Sequence, residues 1–173
     1  LSELNKVRNN LANQAMSFAL EHNEGIFKLD LPTGAGKTMA STRYGLANVT
    51  TFKKSRFVYV TAFLSVLEQN ASEIKSAIGP EGVLEHHSNV VVEKEQHIHE
   101  QYSDNSDYSP VSYLIESWES PIILTTMVQF SNTLFGGRAA NLRRFCKLID
   151  STIAIDEIQS LPLKALYSFN LMF

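Results

Sequence analysis

The sequence has a single cysteine, Cys146, so it cannot form a disulfide within the chain. A lone cysteine also lacks the companion ligands of a zinc site and fits a reducing compartment. Cys146 occupies an apolar position in the segment 142–148, and we interpret it as a small core residue. The cysteine content therefore favours a cytoplasmic protein without a structural metal.

Long hydrophobic runs and an excess of positive charge are also missing. No run approaches the about 18 apolar residues of a membrane-spanning helix, so we expect no membrane partner. The 15 basic and 18 acidic residues give a net charge of −3. This balance disfavours nucleic-acid binding through overall positive charge, although it leaves room for a local basic stripe. The 44% of apolar residues is enough for a sizeable core.

Predicted strands and helices alternate along the 173 residues, which we expect to form one domain. Apolar spacing of three and four predicts helices, and short apolar runs predict strands. Helices are predicted at 4–18, 37–48, 64–78, 110–118, 128–134 and 142–148, and strands at 26–31, 57–61, 83–85, 121–125 and 152–156. This alternation predicts an α/β fold with a mainly parallel central sheet and helices on both faces. Turn-forming residues at 103–109 predict a mobile loop.

The strongest chemical signal is the glycine-rich segment 31–38, Leu-Pro-Thr-Gly-Ala-Gly-Lys-Thr, between a predicted strand and a predicted helix. Its glycines let backbone N–H groups turn inward around phosphate oxygens at a helix N-terminus. Lys37 can then reach the β- and γ-phosphates of ATP, and the Thr38 hydroxyl can ligate Mg²⁺. The alternative is a chance glycine-rich turn, since Leu31 replaces the first glycine of the strict pattern. The predicted nucleotide-binding residues are Thr33, Gly34, Ala35, Gly36, Lys37 and Thr38.

Two carboxylates, Asp156 and Glu157, follow the last predicted strand. Ligands bind at the carboxyl ends of strands in open α/β sheets. Asp156 is predicted to hold Mg²⁺, and Glu157 to orient and deprotonate the water that attacks the γ-phosphate. An acidic pair alone is often only a strand end, but together with the phosphate loop it predicts an ATPase core. The predicted catalytic residues are therefore Lys37, Asp156 and Glu157.

Several stretches, in this order, resemble superfamily 2 helicases. More closely, the chain resembles the first RecA-like domain of the CRISPR-associated helicase–nuclease of type I interference systems. The resemblance implies a RecA-like P-loop fold and an ATP- and Mg²⁺-dependent DNA helicase of the prokaryotic cytoplasm. The stretches are Arg8-Asn9, the phosphate loop, 59–70, 118–130 and 155–162.

The resemblance also implies contacts with single-stranded DNA through Ser65, Gln69, Thr125 and Thr126. Hydroxyls and amides can hold backbone phosphates without reading bases. The alternative for the two threonines is capping of the following helix.

The resemblance implies two further roles near the nucleotide. Arg8 helps to hold the adenine, and the alternative is a solvated arginine on an amphipathic helix. Gln159 couples the nucleotide state to bound DNA, and the alternative is a surface glutamine in a turn.

The implied partners are a second RecA-like domain, an HD nuclease and the CRISPR surveillance complex Cascade. The chain begins with Leu1 and has no His-Asp dipeptide, so we expect a fragment without the nuclease or the second domain, and with weak activity alone. His86, His87, His97 and His99 lack metal-site spacing and are expected to be exposed. Alternative functions are another superfamily 2 translocase, in repair or restriction, and a non-motor nucleotide switch.

Overall fold

The computed structural model describes residues 3–87, 115, 117–161, 167, 169 and 170. Its elements, in chain order, are α1 Glu3–Glu21, α2 Lys37–Phe52, β1 Arg56–Thr61, α3 Leu64–Ile78, β2 Val83–His86, β3 Ile122–Thr126, α4 Met127–Phe135, α5 Ala139–Cys146 and β4 Ser151–Ile155. A 3₁₀ turn, Ile158–Ser160, follows β4. Among the described residues no helix is both long and apolar enough to span a membrane.

The four strands form a parallel sheet in the order β2-β3-β1-β4. All six residues of the central strand β1 are buried, which is typical of a strand covered on both faces. Because the strands run the same way, their carboxyl ends lie along one edge of the sheet. The predicted parallel α/β architecture is confirmed.

Helices cover both faces of this sheet. On one face, Phe57 and Tyr59 of β1 pack with Ala71 and Ile74 of α3. On the other face, Val58, Val60 and Ile123 pack with Met127 and Phe130 of α4. The layered arrangement is consistent with the predicted RecA-like domain.

Helix α2 lies unusually close to β1 at Gly45, where an added Cβ would collide with the ring of Phe57. Asn48, further along α2, joins three elements. Its buried amide donates to the carbonyl oxygens of Ala19 (3.1 Å) and His22 (2.8 Å), and it accepts a hydrogen bond from Thr152 of β4 (2.8 Å). These contacts fix the carboxyl-terminal end of α1 against the sheet layer.

The strand predicted at 26–31 is wrong, because these residues form no regular structure. Ile26 is 76% exposed, and Lys28 pairs with Asp30 at 3.0 Å. Phe27 packs edge-on against Phe18, with ring centroids 5.0 Å apart. β-propensity describes how a side chain fits a half-buried pleated surface, and here the aromatic contact with α1 takes the place of strand pairing.

The interpretation of Cys146 as a core residue is also wrong, since its side chain is exposed. Helix α5 turns Asn141 and Arg144 inward, whereas Leu142 is 64% exposed. Ile149, just beyond the helix, is 69% exposed. The apolar residues within α5 therefore mark its outer side, whereas Leu148, beyond the helix, packs against the core. Sequence periodicity alone does not say which side of a helix faces inward.

The expected exposure of His86 and His87 is wrong as well, because they are only 2% and 3% exposed. The His86 ring meets Trp118 edge-on, with centroids 5.7 Å apart. The predictions for His97, His99 and the loop 103–109 lie outside the described residues. So does most of the helix predicted at 110–118.

Candidate nucleotide-binding site

The phosphate loop turns sharply into α2, as its glycines predicted. Gly36 is the N-cap of α2 in the left-handed region (φ 83°), and Gly34 also has a positive φ of 80°. The Ala35 N–H donates to Pro32 O at 3.1 Å and closes the turn. Because Gly36 has no side chain to cap the helix, first-turn N–H groups of α2 stay available to a ligand.

A cleft of about 630 Å³ lies over the loop. A cavity of this size accommodates a small-molecule ligand. The cleft brings together the loop, the acidic pair and the amino-terminal half of α1. Of the predicted site residues, it is lined by Arg8, Thr33, Gly34, Gly36, Lys37, Thr38, Gln69, Asp156 and Glu157.

Arg8 contacts the loop itself. Its Nε donates to Gly34 O at 2.9 Å, and its side-chain stem lies 3.6 Å from the position that a Cβ on Gly36 would take. Arg43 of α2 donates to Asn9 (3.0 Å) and Asn13 (2.9 Å). These bonds hold α1 beside the phosphate loop.

A chain of hydrogen bonds joins the loop to the acidic pair through two residues that sequence reasoning assigned no role. Thr38 donates to Asn70 Oδ1 at 3.2 Å, and Asn70 Nδ2 donates to the Tyr59 hydroxyl at 3.4 Å. The Tyr59 hydroxyl donates to Asp156 Oδ2 at 3.0 Å. Burial, and secondarily the charge of Asp156, raises the pKa of Tyr59 well above its ordinary value, so Tyr59 remains a neutral donor.

The donor set at this end of the cleft fits Mg²⁺. This ion prefers hard oxygen ligands, and it is usually held by one or two protein groups together with substrate phosphates and water. Thr38 and Asp156 both line the cleft and supply such oxygens. Within the described ranges, no cluster of three His, Cys, Asp or Glu side chains suited to another metal is found.

The two acidic residues face different surroundings. The Asp156 N–H continues the ladder by donating to Val60 O at 2.8 Å, whereas Glu157 adopts a left-handed backbone (φ 54°). The chain therefore turns between them, leaving Asp156 half-buried and Glu157 exposed. Gln159 is also exposed and donates to the Glu157 carboxylate.

Residues 3–161 match the family described as the type III restriction enzyme, res subunit. The chain belongs to this family of superfamily 2 helicase domains. It is also 29% identical over 150 residues to the CRISPR-associated nuclease/helicase Cas3 of Haloferax volcanii. The aligned region covers 79% of this chain and 16% of that relative, so the chain spans only a small part of its length. The predicted resemblance to a CRISPR-associated superfamily 2 helicase is confirmed.

The predicted DNA-binding residues of this res-family domain fall into two groups. Ser65 is exposed in the first turn of α3, and Gln69 lines the nucleotide cleft, where it donates to Glu73 at 3.4 Å. Thr125 is buried and donates to His86 O at 3.0 Å. Thr126 caps α4 by accepting a hydrogen bond from Gln129 N at 3.4 Å, as the capping alternative predicted. DNA contact at all four stays a prediction.

The residues missed from the sequence left detectable signals. Asn70 is the polar member of the otherwise apolar face that Leu67, Ala71 and Ile74 form on α3. Tyr59 lies within a buried strand, where its hydroxyl requires a partner. A buried polar group on an apolar face predicts a hydrogen bond, although it does not identify the partner.

Proposed function

We propose that this res-family domain binds ATP with Mg²⁺ and hydrolyses it as one half of a DNA motor. The observation that carries the proposal is the shared cleft, in which the glycine-capped start of α2 faces the acidic end of β4. Such a cleft combines phosphate-binding N–H groups with carboxylates that suit metal binding and proton transfer.

Each residue has a distinct role in this proposal. Lys37 and the N–H groups at the start of α2 hold the phosphates, and Arg8 borders the adenine. Thr38 and Asp156 would hold Mg²⁺, which neutralises charge on the phosphates when bound. Glu157 accepts a proton from the attacking water, and Gln159 orients its carboxylate.

The larger assembly is proposed from the similarity to Cas3. The domain would act with a second RecA-like domain, an HD nuclease and the Cascade complex on single-stranded DNA in a prokaryotic cytoplasm. The DNA backbone would run past Ser65, Gln69 and the partly exposed Thr126, whereas the buried Thr125 would only support this strand end. Since a partner domain commonly supplies the arginine that stabilises phosphoryl transfer, we expect weak hydrolysis by the 173 residues alone.

The first test is Lys37→Ala, with ATP affinity measured by isothermal titration calorimetry in Mg²⁺ buffer. Losing one charge-assisted contact with the phosphates should weaken binding about 10- to 100-fold. Lys6→Ala is the matched control, because Lys6 is an exposed lysine on α1 that pairs with Glu3. Equal ATP affinity in Lys37→Ala and the unsubstituted chain would contradict the proposal, as would no ATP binding at all.

A second measurement tests the motor role. Fluorescence anisotropy with labelled single-stranded DNA should show an affinity that changes among the nucleotide-free, ADP-bound and ATP-bound states. ATP binding without DNA affinity in any of these states would favour the non-motor nucleotide switch.

A further inference from the structure

We propose that Tyr59 and Asn70 are positioning residues that orient the two magnesium ligands, Thr38 and Asp156, before the metal binds. The inference rests on the proposed function, because it assigns a role to the hydrogen-bonded chain Thr38–Asn70–Tyr59–Asp156 within the same cleft. Tyr59 and Asn70 are 2% and 5% exposed, so they act from behind the ligands.

The chemistry of the four groups fixes which group donates and which accepts in each hydrogen bond. An ionised Asp156 carboxylate can only accept, so the Tyr59 hydroxyl must donate its single hydrogen to it. The Tyr59 oxygen can then only accept from its other neighbours, which include Asn70, Thr38 and Ser41. This places the amide NH₂ of Asn70 towards Tyr59. The amide oxygen of Asn70 must therefore face Thr38, and the Thr38 hydroxyl must donate.

This direction leaves both ligands ready for a cation. Thr38 uses its hydrogen behind the cleft, so the lone pairs of its oxygen stay free to bind metal. Asp156 is held through Oδ2, and Oδ1 stays free of this bond. Outer-shell hydrogen bonds of this kind orient ligands, and losing one typically lowers metal affinity 10- to 100-fold.

These three hydrogen bonds also join parts of the domain that are distant in sequence. Thr38 begins α2, Asn70 lies on α3, Tyr59 lies on the central strand β1, and Asp156 follows β4. Each hydroxyl or amide has a neighbour in the chain, so replacing one member leaves a buried polar group without its partner. The arrangement therefore places the loop and the acidic pair in one fixed relation across the cleft.

The test compares ATP affinity in EDTA with ATP affinity in Mg²⁺ by isothermal titration calorimetry on the full chain. The dissociation constant in EDTA divided by the dissociation constant in Mg²⁺ measures how much magnesium contributes to ATP affinity. Tyr59→Phe removes one hydroxyl without changing the shape of the ring, so we expect this ratio to fall about tenfold. The affinity in EDTA should change less than about twofold, which also reports that the variant is folded.

Asn70→Asp is the second variant, because an ionised aspartate cannot donate to Tyr59. It should lower the same ratio. Tyr44→Phe is the matched control, since Tyr44 packs near Phe18 and Phe27 rather than in the cleft, and it should keep the unsubstituted ratio.

The outcomes separate this inference from the proposed function. If the unsubstituted chain binds ATP more tightly with Mg²⁺ and both variants keep that gain, the positioning role is wrong and the proposed function stands. A ratio near one in the unsubstituted chain would also overturn the positioning role, because magnesium would then add nothing to ATP affinity. If the chain binds no ATP in either buffer, both proposals are wrong.

Discussion

The carboxyl-terminal edge of the sheet has two ends with opposite character. At the β1 and β4 end, Asp156 and Glu157 border an open cleft. At the β3 and β2 end, Thr125 and His86 are buried, and the Thr125 hydroxyl donates a hydrogen bond to the His86 carbonyl oxygen. Parallel strands therefore place polar side chains at the same edge of the sheet without making them equally accessible to a ligand.

The two ends differ in the connections that follow β3 and β4. β3 passes straight into α4, with Thr126 as its N-cap. β4 is followed by the left-handed Glu157 and a short 3₁₀ turn. The first connection starts a helix at once, whereas the second turns the chain aside at Glu157, which lines the cleft.

The largest expected effect is at the open end, with Asp156→Asn. The amide removes the charge that would hold Mg²⁺, so the magnesium-dependent part of ATP affinity should fall more than about 100-fold, beyond the typical cost of losing an outer-shell partner. Isothermal titration calorimetry in EDTA and in Mg²⁺ measures this. Glu119→Gln is a carboxylate control outside the cleft and should keep the magnesium contribution. If Asp156→Asn also kept it, the open end would not be a magnesium site, and the two ends of the sheet edge would not differ in this respect.

The closed end should instead respond to acid. Burial, followed by the charges of Arg144 and His87, lowers the pKa of His86 to about 3 from an ordinary value of 6.5. The folded state keeps this ring neutral, so its contribution to stability is complete above pH 6.5 and decreases as the pH falls towards 3. At pH 5 the loss is about 2 kcal/mol.

Urea unfolding at pH 7 and pH 5 tests the acid response. His86→Gln should reduce the difference in unfolding free energy between the two pH values, and His22→Gln should not. An equal pH difference in His86→Gln and the unsubstituted chain would show that acid acts elsewhere.

The smallest expected effect is Thr125→Val, which keeps the shape of the side chain and removes the hydrogen bond to His86 O. It should lower the unfolding free energy by about 1 kcal/mol and leave ATP affinity unchanged. Urea unfolding and calorimetry measure the two effects, with the exposed Thr51→Val on α2 as the control. A change in ATP affinity would indicate that the two ends are coupled.

Sequence reasoning identified two contiguous segments that line the candidate cleft. The glycines of the phosphate loop and the acidic pair after β4 carry both their backbone geometry and their chemistry in a few neighbouring positions. Tyr59 and Asn70 acquire their role only when α3 packs on β1, so their partners are not visible locally.

The errors have a related physical origin. The run 26–31 has strand-like residues, but Phe27 packs with the aromatic side chain of Phe18 instead. The segment 142–148 has an apolar pattern, but Asn141 and Arg144 form the buried side of α5. Propensity and periodicity indicate which secondary structures a segment can adopt and which of its faces could be buried. Packing against the surrounding elements determines which of these forms in the fold.

The outward apolar side of α5 leads us to expect concentration-dependent association of the domain. Leu142, Phe145 and Ile149 expose apolar surface along one side of the helix and beyond it. Contiguous apolar surface promotes association between molecules. Light scattering should therefore show self-association that increases with protein concentration, and Leu142→Gln should reduce it with less than about 0.5 kcal/mol change in stability. Calorimetry on this domain is best done in dilute solution, where each titration reports on single molecules.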